Sequence, residues 1–346
     1  MSSRQRQEAR FRRVRHLISF IEEIQNEGYL GRKEAIPIQL FPKDYIELLL
    51  EVEKRDSDFQ NYFNHRLRYE YNESRYGNSQ FTIFMPSDFH KRMSSLVNWD
   101  VRLWSHQVHK DDNPAEVQTA IGSIRIATDE SIETDNKTLY PDCSFKYEGV
   151  TRPPVAFEIA WSRSTDDLEN KARELIRETE GEVQTVVGLD FSRTYDIWPT
   201  IRDHVGTKEV PNRGPATAFV WRATFDENGR QLFNANGDPS IQKKNYGLCD
   251  DDGNAYAQSG ERLQLSLKDF IPLQVISKEG WGEVGALDNT KFELDLAKMI
   301  GFFDEALKVE KAADTAKEPR RIKADEKKKQ NQQEQEAERA AAVERE

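Results

Sequence analysis

Cysteine is nearly absent: the 346 residues hold two, Cys143 and Cys249, far apart and without metal-ligand spacing. That excludes a disulfide framework and a thiolate metal cage. No apolar run approaches the ~20 residues that span a bilayer, and no apolar segment of signal-peptide type follows Met1. A chain with no membrane partner in a reducing intracellular compartment, cytoplasm or nucleus, is expected. Also missing are a P-loop, a G-x-G-x-x-G turn, an H-E-x-x-H pair and any internal repeat. The run Asp250 to Asn254 has the acids of a calcium loop but neither the alternating ligand spacing nor the terminal Glu, so it reads as a polar turn.

Charge is plentiful but unbalanced. Fifty Lys and Arg face 61 Asp and Glu, a net charge of −11. This opposes indiscriminate nucleic-acid binding and leaves room for a local basic groove. Two basic-rich runs, RQRQEARFRRVR near the start and RRIKADEKKK from Arg320, suit phosphate contact, an import signal or a charged helix face. From Glu318 onward the only large aliphatics are Ile322 and Val343, so residues 318–346 form a solvated helix or disordered tail.

Along the chain, Phe11, Val14, Leu17, Ile18, Ile21 and Ile24 predict a helix ending near Gly28, and Pro42 to about Arg55 predicts a second. RLRYEY and QFTIFM, joined by NESRYGNS, read as a hairpin with a Gly-Asn turn. Pro86-Ser87-Asp88 opens a long helix to about His109. TAIGSIRIAT, TLYPDCSFKYE and PVAFEIAWS then read as three strands, STDDLENKARELIRET as a helix and EVQTVVGLDF as a buried strand. ATAFVWRATFD and RLQLSLKDFI are two further strands separated by a turn-rich insertion, and Asn289 to about Lys311 is a last helix. The expected division is a helical extension over 1–60, a mixed α/β (α+β) domain over 61–272 with an insertion at 226–258, a C-terminal helix within 273–317 and the tail.

The sharpest feature lies in two strands. EGVTRPP between the second and third forms a turn near Val150 or Thr151. A hairpin folded there pairs residues whose numbers sum to about 300, which sets Asp142 opposite Glu158. By alternation, Asp142, Ser144 and Lys146 share a face with Ala156, Glu158 and Ala160, and the other face is apolar. Facing like charges destabilise a sheet. They require a cation, a shared proton or full solvation. Two hard oxygen ligands suit Mg²⁺; the alternative is an ordinary solvated hairpin face. On the following helix Lys171 stands roughly 60° from Leu168 at the edge of the buried stripe, where it can snorkel to water or reach the carboxylates.

Helix, three strands, helix, strand, with Pro141-Asp142 opening the second strand and Glu158 in the third, resembles the PD-(D/E)xK restriction-endonuclease-like superfamily. The usual motif has Lys two residues after the Glu; here that position is Ala160. The Uma-type endonuclease branch and similar fungal proteins are closer, with a lysine moved onto the helix. Their pattern matches Pro141-Asp142, EIAWSRST from Glu158 and DLENKARELI from Asp167, which places Lys171 on the migrated lysine. The resemblance covers roughly residues 65 to 191.

It implies a metal-dependent nuclease hydrolysing phosphodiesters in nucleic acid, DNA first, with a homodimer as a further option. Asp142, Glu158 and the Ile159 carbonyl would hold Mg²⁺ or Mn²⁺, and Lys171 would orient or deprotonate water. Asp100 and His90 are accessory candidates, Arg163 and Arg173 candidate phosphate contacts, and Lys146 an alternative base. The competing reading is an inactive interaction module of the same fold, favoured by Ala160 and the acidic net charge.

Overall fold

The structure is a computed structural model that describes residues 3–31, 34–72, 79–127, 130–134, 138–207, 213–256 and 262–343. Helix α1 (Ser3–Glu27) buries Val14, Leu17, Ile18, Ile21 and Ile24. It stops at Gly28, whose φ of +75° suits glycine. Strand β1 (Ala35–Gln39), α2 (Pro42–Glu53), α3 (Ser57–His65), β2 (Arg68–Asn72) and β3 (Gln80–Phe84) complete an N-terminal unit. Its antiparallel sheet runs β1-β3-β2. Pro37 sits in the edge strand β1, where a missing N–H costs no ladder bond.

This unit departs from the expected helical extension over 1–60. Phe81 and Ile83 of the predicted hairpin bury against Leu17, Leu48 and Phe63, so the hairpin belongs to the N-terminal core. The Gly-Asn turn at Gly77 and Asn78 lies outside the described residues.

Then follow α4 (Asp88–Lys110), α5 (Ala115–Gly122), β4 (Ile124–Ala127), β5 (Ile132–Glu133), β6 (Thr138–Leu139), β7 (Cys143–Tyr147), β8 (Val155–Ala160), α6 (Thr165–Glu178) and β9 (Thr185–Asp190). After α7 (Ser192–Ile201) come β10 (Ala216–Ala223) and β11 (Ile241–Cys249). Together they build a six-stranded mixed sheet, β11-β10-β9-β8-β7-β4, in which only β8 and β9 are parallel. The fold is α+β, and α4, then β4, β7 and β8, then α6 and β9 follow the anticipated order.

The hairpin register agrees with the summed numbers: Cys143 pairs with Phe157, Ser144 with Ala156 and Phe145 with Val155. The face expected to be small and polar is instead covered. All six residues of β8 are buried. Val155, Phe157 and Ile159 enter the main core, while Ala156 and Ala160 pack under Leu168, Ala172 and Ile176 of α6. A helical crossover between parallel strands must lie on one sheet face, which is why this one is dry. Beside Glu158 in the sheet stands Gly188, over which the Trp221 ring lies so closely that any Cβ would collide with it.

Four other segments differ from expectation. Ala115–Gly122 is helical, leaving only Ile124–Ala127 as strand. TLYPDCSFKYE is broken at Tyr140 to Asp142, since Pro141 offers no N–H to a ladder. The 226–258 insertion contains β11, which extends the sheet. The 273–317 region holds α8 (Leu273–Lys278), α9 (Gly285–Asn289) and β13 (Lys291–Asp295), which pairs with β12 (Arg262–Ser266), before α10 (Leu296–Val343) begins.

Helix α10 buries Met299, Phe303 and Leu307. Glu310 accepts from the Phe89 N–H at the start of α4 at 2.8 Å. The helix continues through the expected tail. Arg320 bonds the Glu27 carbonyl, and Arg321 bonds the Leu30 carbonyl at 2.7 Å. The polar-turn reading of Asp250 holds: its Oδ1 accepts from the N–H groups of Asp252 and Asn254. Among the described residues no helix is long and apolar enough to cross a membrane.

Candidate active site

Strand β7 begins at Cys143, opposite Phe157, so Glu158, Ile159 and Ala160 of β8 run past it, and that offset makes the site. Asp142 donates its N–H to the Phe157 carbonyl at 3.2 Å, and its Oδ2 accepts the Ile159 N–H at 2.7 Å. The side chain thereby takes a ladder bond that the shorter strand cannot supply. Because N–H and C=O of one strand residue point to the same edge, the Ile159 carbonyl faces the same end.

His90 is placed by the first turn of α4, where its N–H donates to the Ser87 hydroxyl cap at 3.1 Å. Its Nε2 stands 2.6 Å from Asp142 Oδ1 and its Nδ1 3.3 Å from Glu34 Oε1. Glu34 Oε1 also accepts from Ser87 N and Oγ at 3.0 and 2.6 Å, and its Oε2 from Ser162 N at 3.2 Å. The N-terminal unit is thus tied to α4 and to the loop after β8 by one buried carboxylate.

Burial disfavours charge on His90, but Asp142 and Glu34 outweigh it and lift the imidazole to about 10. Burial likewise works against ionised Glu34, yet His90 and the Ser87 bonds bring it to about 2. Asp142 is lowered too: burial opposes ionisation, and His90, Arg163 and the Ile159 N–H prevail. Glu158 goes the other way. Only 2% exposed, with Oε1 lacking a hydrogen-bond partner among the described residues, it is pushed up to about 8 by burial and then by the charge of Asp142.

Lys171 is buried on α6. Its Nζ donates to Glu70 of β2 at 2.9 Å and lies 3.9 Å from Glu174. Burial disfavours its charge; Glu70, Glu158 and Glu174 more than compensate and raise its pKa. Arg163 stacks on Phe84, 4.9 Å from the ring centroid, and its charge favours ionisation of both Asp142 and Glu158.

Asp142, Glu158, Lys171, His90 and Arg163 therefore share one electrostatic site. Two accessory candidates stand elsewhere. Asp100 is ten residues from His90, about 15 Å along α4, and is paired with Lys298 of α10. Lys146 is four residues along β7 from Asp142, about 13 Å, and pairs with Glu130 at 2.6 Å. Arg173 is bound to Glu169 at 2.8 Å.

Sequence reasoning missed Glu34 and Glu70. Both come from the N-terminal sheet, which no spacing from Asp142 could reveal. The available signal was a carboxylate abutting the apolar AIPIQL run in one case and within RLRYEY in the other.

A cavity of about 20 Å³ lies among Glu34, Glu70, His90, Asp142, Arg163 and Lys171, enough for about one water. It shares lining residues with two clefts. One of about 970 Å³ runs along α4 and α3, the other of about 720 Å³ along α6 and β3.

No protein-family profile and no curated protein matches the chain. A crystal structure of a nuclease candidate belonging to DUF820 from Anabaena variabilis ATCC 29413 is similar at 14% identity, over 49% of this chain and 83% of that one, with a TM-score of 0.27. That likeness is too distant to bear on function.

Proposed function

We propose that the protein is a divalent-metal-dependent nuclease hydrolysing phosphodiester bonds, with DNA the first substrate to test. The observation that carries this is Glu158: a buried carboxylate oxygen without a donor among the described residues, beside a second carboxylate, which calls for a proton or a cation. Among the described residues no three His, Cys, Asp or Glu side chains form a metal-holding group. The donor set is two carboxylates, Asp142 and Glu158, with the Ile159 carbonyl. That suits Mg²⁺ or Mn²⁺, hard ions that accept one or two carboxylates and keep several waters.

When bound, the ion would acidify a water and neutralise charge developing on the phosphate. Lys171, its pKa raised, stays an ammonium. It orients water and holds phosphate oxygen rather than removing a proton. Arg163 adds a second fixed positive charge, and His90 keeps Asp142 ionised and pointed at the cavity.

A noncatalytic interaction module is the second reading. It is favoured by the His90 imidazolium, which already compensates Asp142, and by the bond from Lys171 to Glu70. Titrating the purified chain with Mn²⁺ from about pH 6 to about pH 9, either side of the Glu158 value, and assaying cleavage of DNA and RNA separates the two. The nuclease reading expects affinity to rise with pH, because the ion displaces the Glu158 proton. Absence of both Mn²⁺ binding and cleavage would leave the module.

A further inference from the structure

Helix α4 presents two faces. Phe89, Met93, Val97 and Val101 enter the core. Lys91, Ser94, Ser95, Asn98, Trp99 and Arg102, spaced at three and four residues, form a stripe that lines the 970 Å³ cleft. Trp99 is 57% exposed, whereas Trp161, Trp198, Trp221 and Trp281 are buried and Trp104 packs against the core. Asn98 Oδ1, shielded from solvent, has no hydrogen-bond donor among the described residues.

The cleft also inverts the charge of the chain. Against a net −11, its described lining holds Arg66, Arg68, Lys91 and Arg102 with Asp142 the one carboxylate, and Lys91 also stands 3.7 Å from Asp88. On the far side of the site, Arg163, Lys171, Arg173 and Arg177 are matched by Glu70, Asp167, Glu174 and Asp238. Unbalanced positive charge therefore lies on the α4 side.

We infer that this cleft binds single-stranded polynucleotide, with a base stacked on Trp99 and phosphates against Arg66, Arg68, Lys91 and Arg102, leading the strand to Asp142. This names the substrate of the proposed hydrolytic site and rests on that proposal. An exposed indole flanked by cations is what unpaired bases use, since every base has a π-face and paired bases show theirs only at duplex ends.

The test is fluorescence anisotropy of the full chain in EDTA, with labelled oligothymidine and oligouridine of about 20 nucleotides, longer than the roughly 4–16 that one such site covers, and a duplex of equal length. A single strand of either sugar should bind more tightly than the duplex. Its log-affinity should fall with log salt at a slope of about −3, from about −0.7 for each of four contacts.

Trp99→Ala should weaken single-strand binding by roughly 5- to 150-fold while leaving duplex binding and the melting temperature unchanged. The pair Arg66→Glu and Arg102→Glu should reduce the salt slope. Equal affinity for duplex, or single-strand binding indifferent to Trp99→Ala, overturns the inference. With no divalent ion present, binding is read apart from hydrolysis. Trp99-dependent binding by a chain that never cleaves sinks the nuclease proposal alone, and cleavage with Trp99-independent binding sinks this inference alone.

Discussion

His90 Nε2 and Asp142 Oδ1 lie 2.6 Å apart, with the opposite ring nitrogen turned to Glu34. One imidazolium thus stands between a carboxylate of the N-terminal unit and one of the main sheet, and the site is joined across both units. Glu158, next to this pair, is left to be neutralised by a proton. The two carboxylates are consequently poised for opposite states at neutral pH.

That opposition predicts a pH profile of stability. Glu158 is raised from 4.5 to about 8, so the folded state keeps a proton that unfolding releases, and stability falls as pH rises through that window. His90, raised from 6.5 to about 10, adds a decline at higher pH. Glu34, lowered from 4.5 to about 2, loses its contribution only as pH falls through that range. Melting temperature should therefore peak near about pH 5. Glu310, held at about 7 mainly by burial, contributes in the same direction as Glu158, so the comparison with Glu158→Gln is what isolates the site. The variant should decline less steeply from about pH 5 to about pH 8; matching profiles would mean that Glu158 is ionised throughout.

Glu34 is predicted to be a strong anchor despite its distance in sequence. Glu34→Ala strips the donors of Ser87 and Ser162 of their acceptor and leaves His90 with one carboxylate. Breaking a buried pair in this way costs about 3–5 kcal/mol, measurable by urea unfolding. In a cycle with His90→Gln the two losses should sum to more than the double variant loses, because both act on one network. A cost under about 1 kcal/mol would place Glu34 at an exposed, screened position instead.

The contrast between Glu34 and Asp142 explains what the sequence could disclose. Asp142 and Glu158 were found because a Gly- and Pro-marked turn fixes a local register, and the element order around them follows from hydrophobic period. Lys171 was found at the edge of a helical stripe. The dryness of their face was not legible. It follows from the parallel pairing of β8 and β9, which periodicity cannot distinguish from an antiparallel return. Glu34 and Glu70 were not legible, since their approach depends on how a separate sheet docks. Asp100 shows the converse: helical placement put it on the right element, but its partner Lys298 lies 198 residues away.

The tail prediction is graded by position. Arg320 and Arg321 bond carbonyls at the end of α1, and Arg321 also pairs with Asp314 at 2.8 Å. Beyond them Ile322 is exposed. Truncation after Ala324 should change stability by less than about 0.5 kcal/mol. Truncation after Lys317 should cost about 1–3 kcal/mol through the lost charged hydrogen bonds. Equal melting temperatures for both truncations would show that the arginine contacts contribute nothing in solution.

Lys171 decides between an enzyme and a remnant. In Lys171→Met the aliphatic stem still fills the edge of α6, so packing is kept while the ammonium is lost. Glu70 then loses its 2.9 Å partner, and Glu158 loses a charge that favours its ionisation. The Glu158 value should move up from about 8, shifting the pH dependence of Mn²⁺ binding upward. Above that shifted value the carboxylates are ionised in both proteins, and Mn²⁺ affinity should be similar. Cleavage should not recover, since general water-orienting and phosphate-holding groups of this kind contribute about 10²–10³-fold. Asp142→Ala, by contrast, should lose metal and cleavage together. Cleavage by Lys171→Met at the wild-type rate, at a pH where both proteins bind Mn²⁺ equally, would remove Lys171 from the chemistry and leave it a tie between α6 and β2.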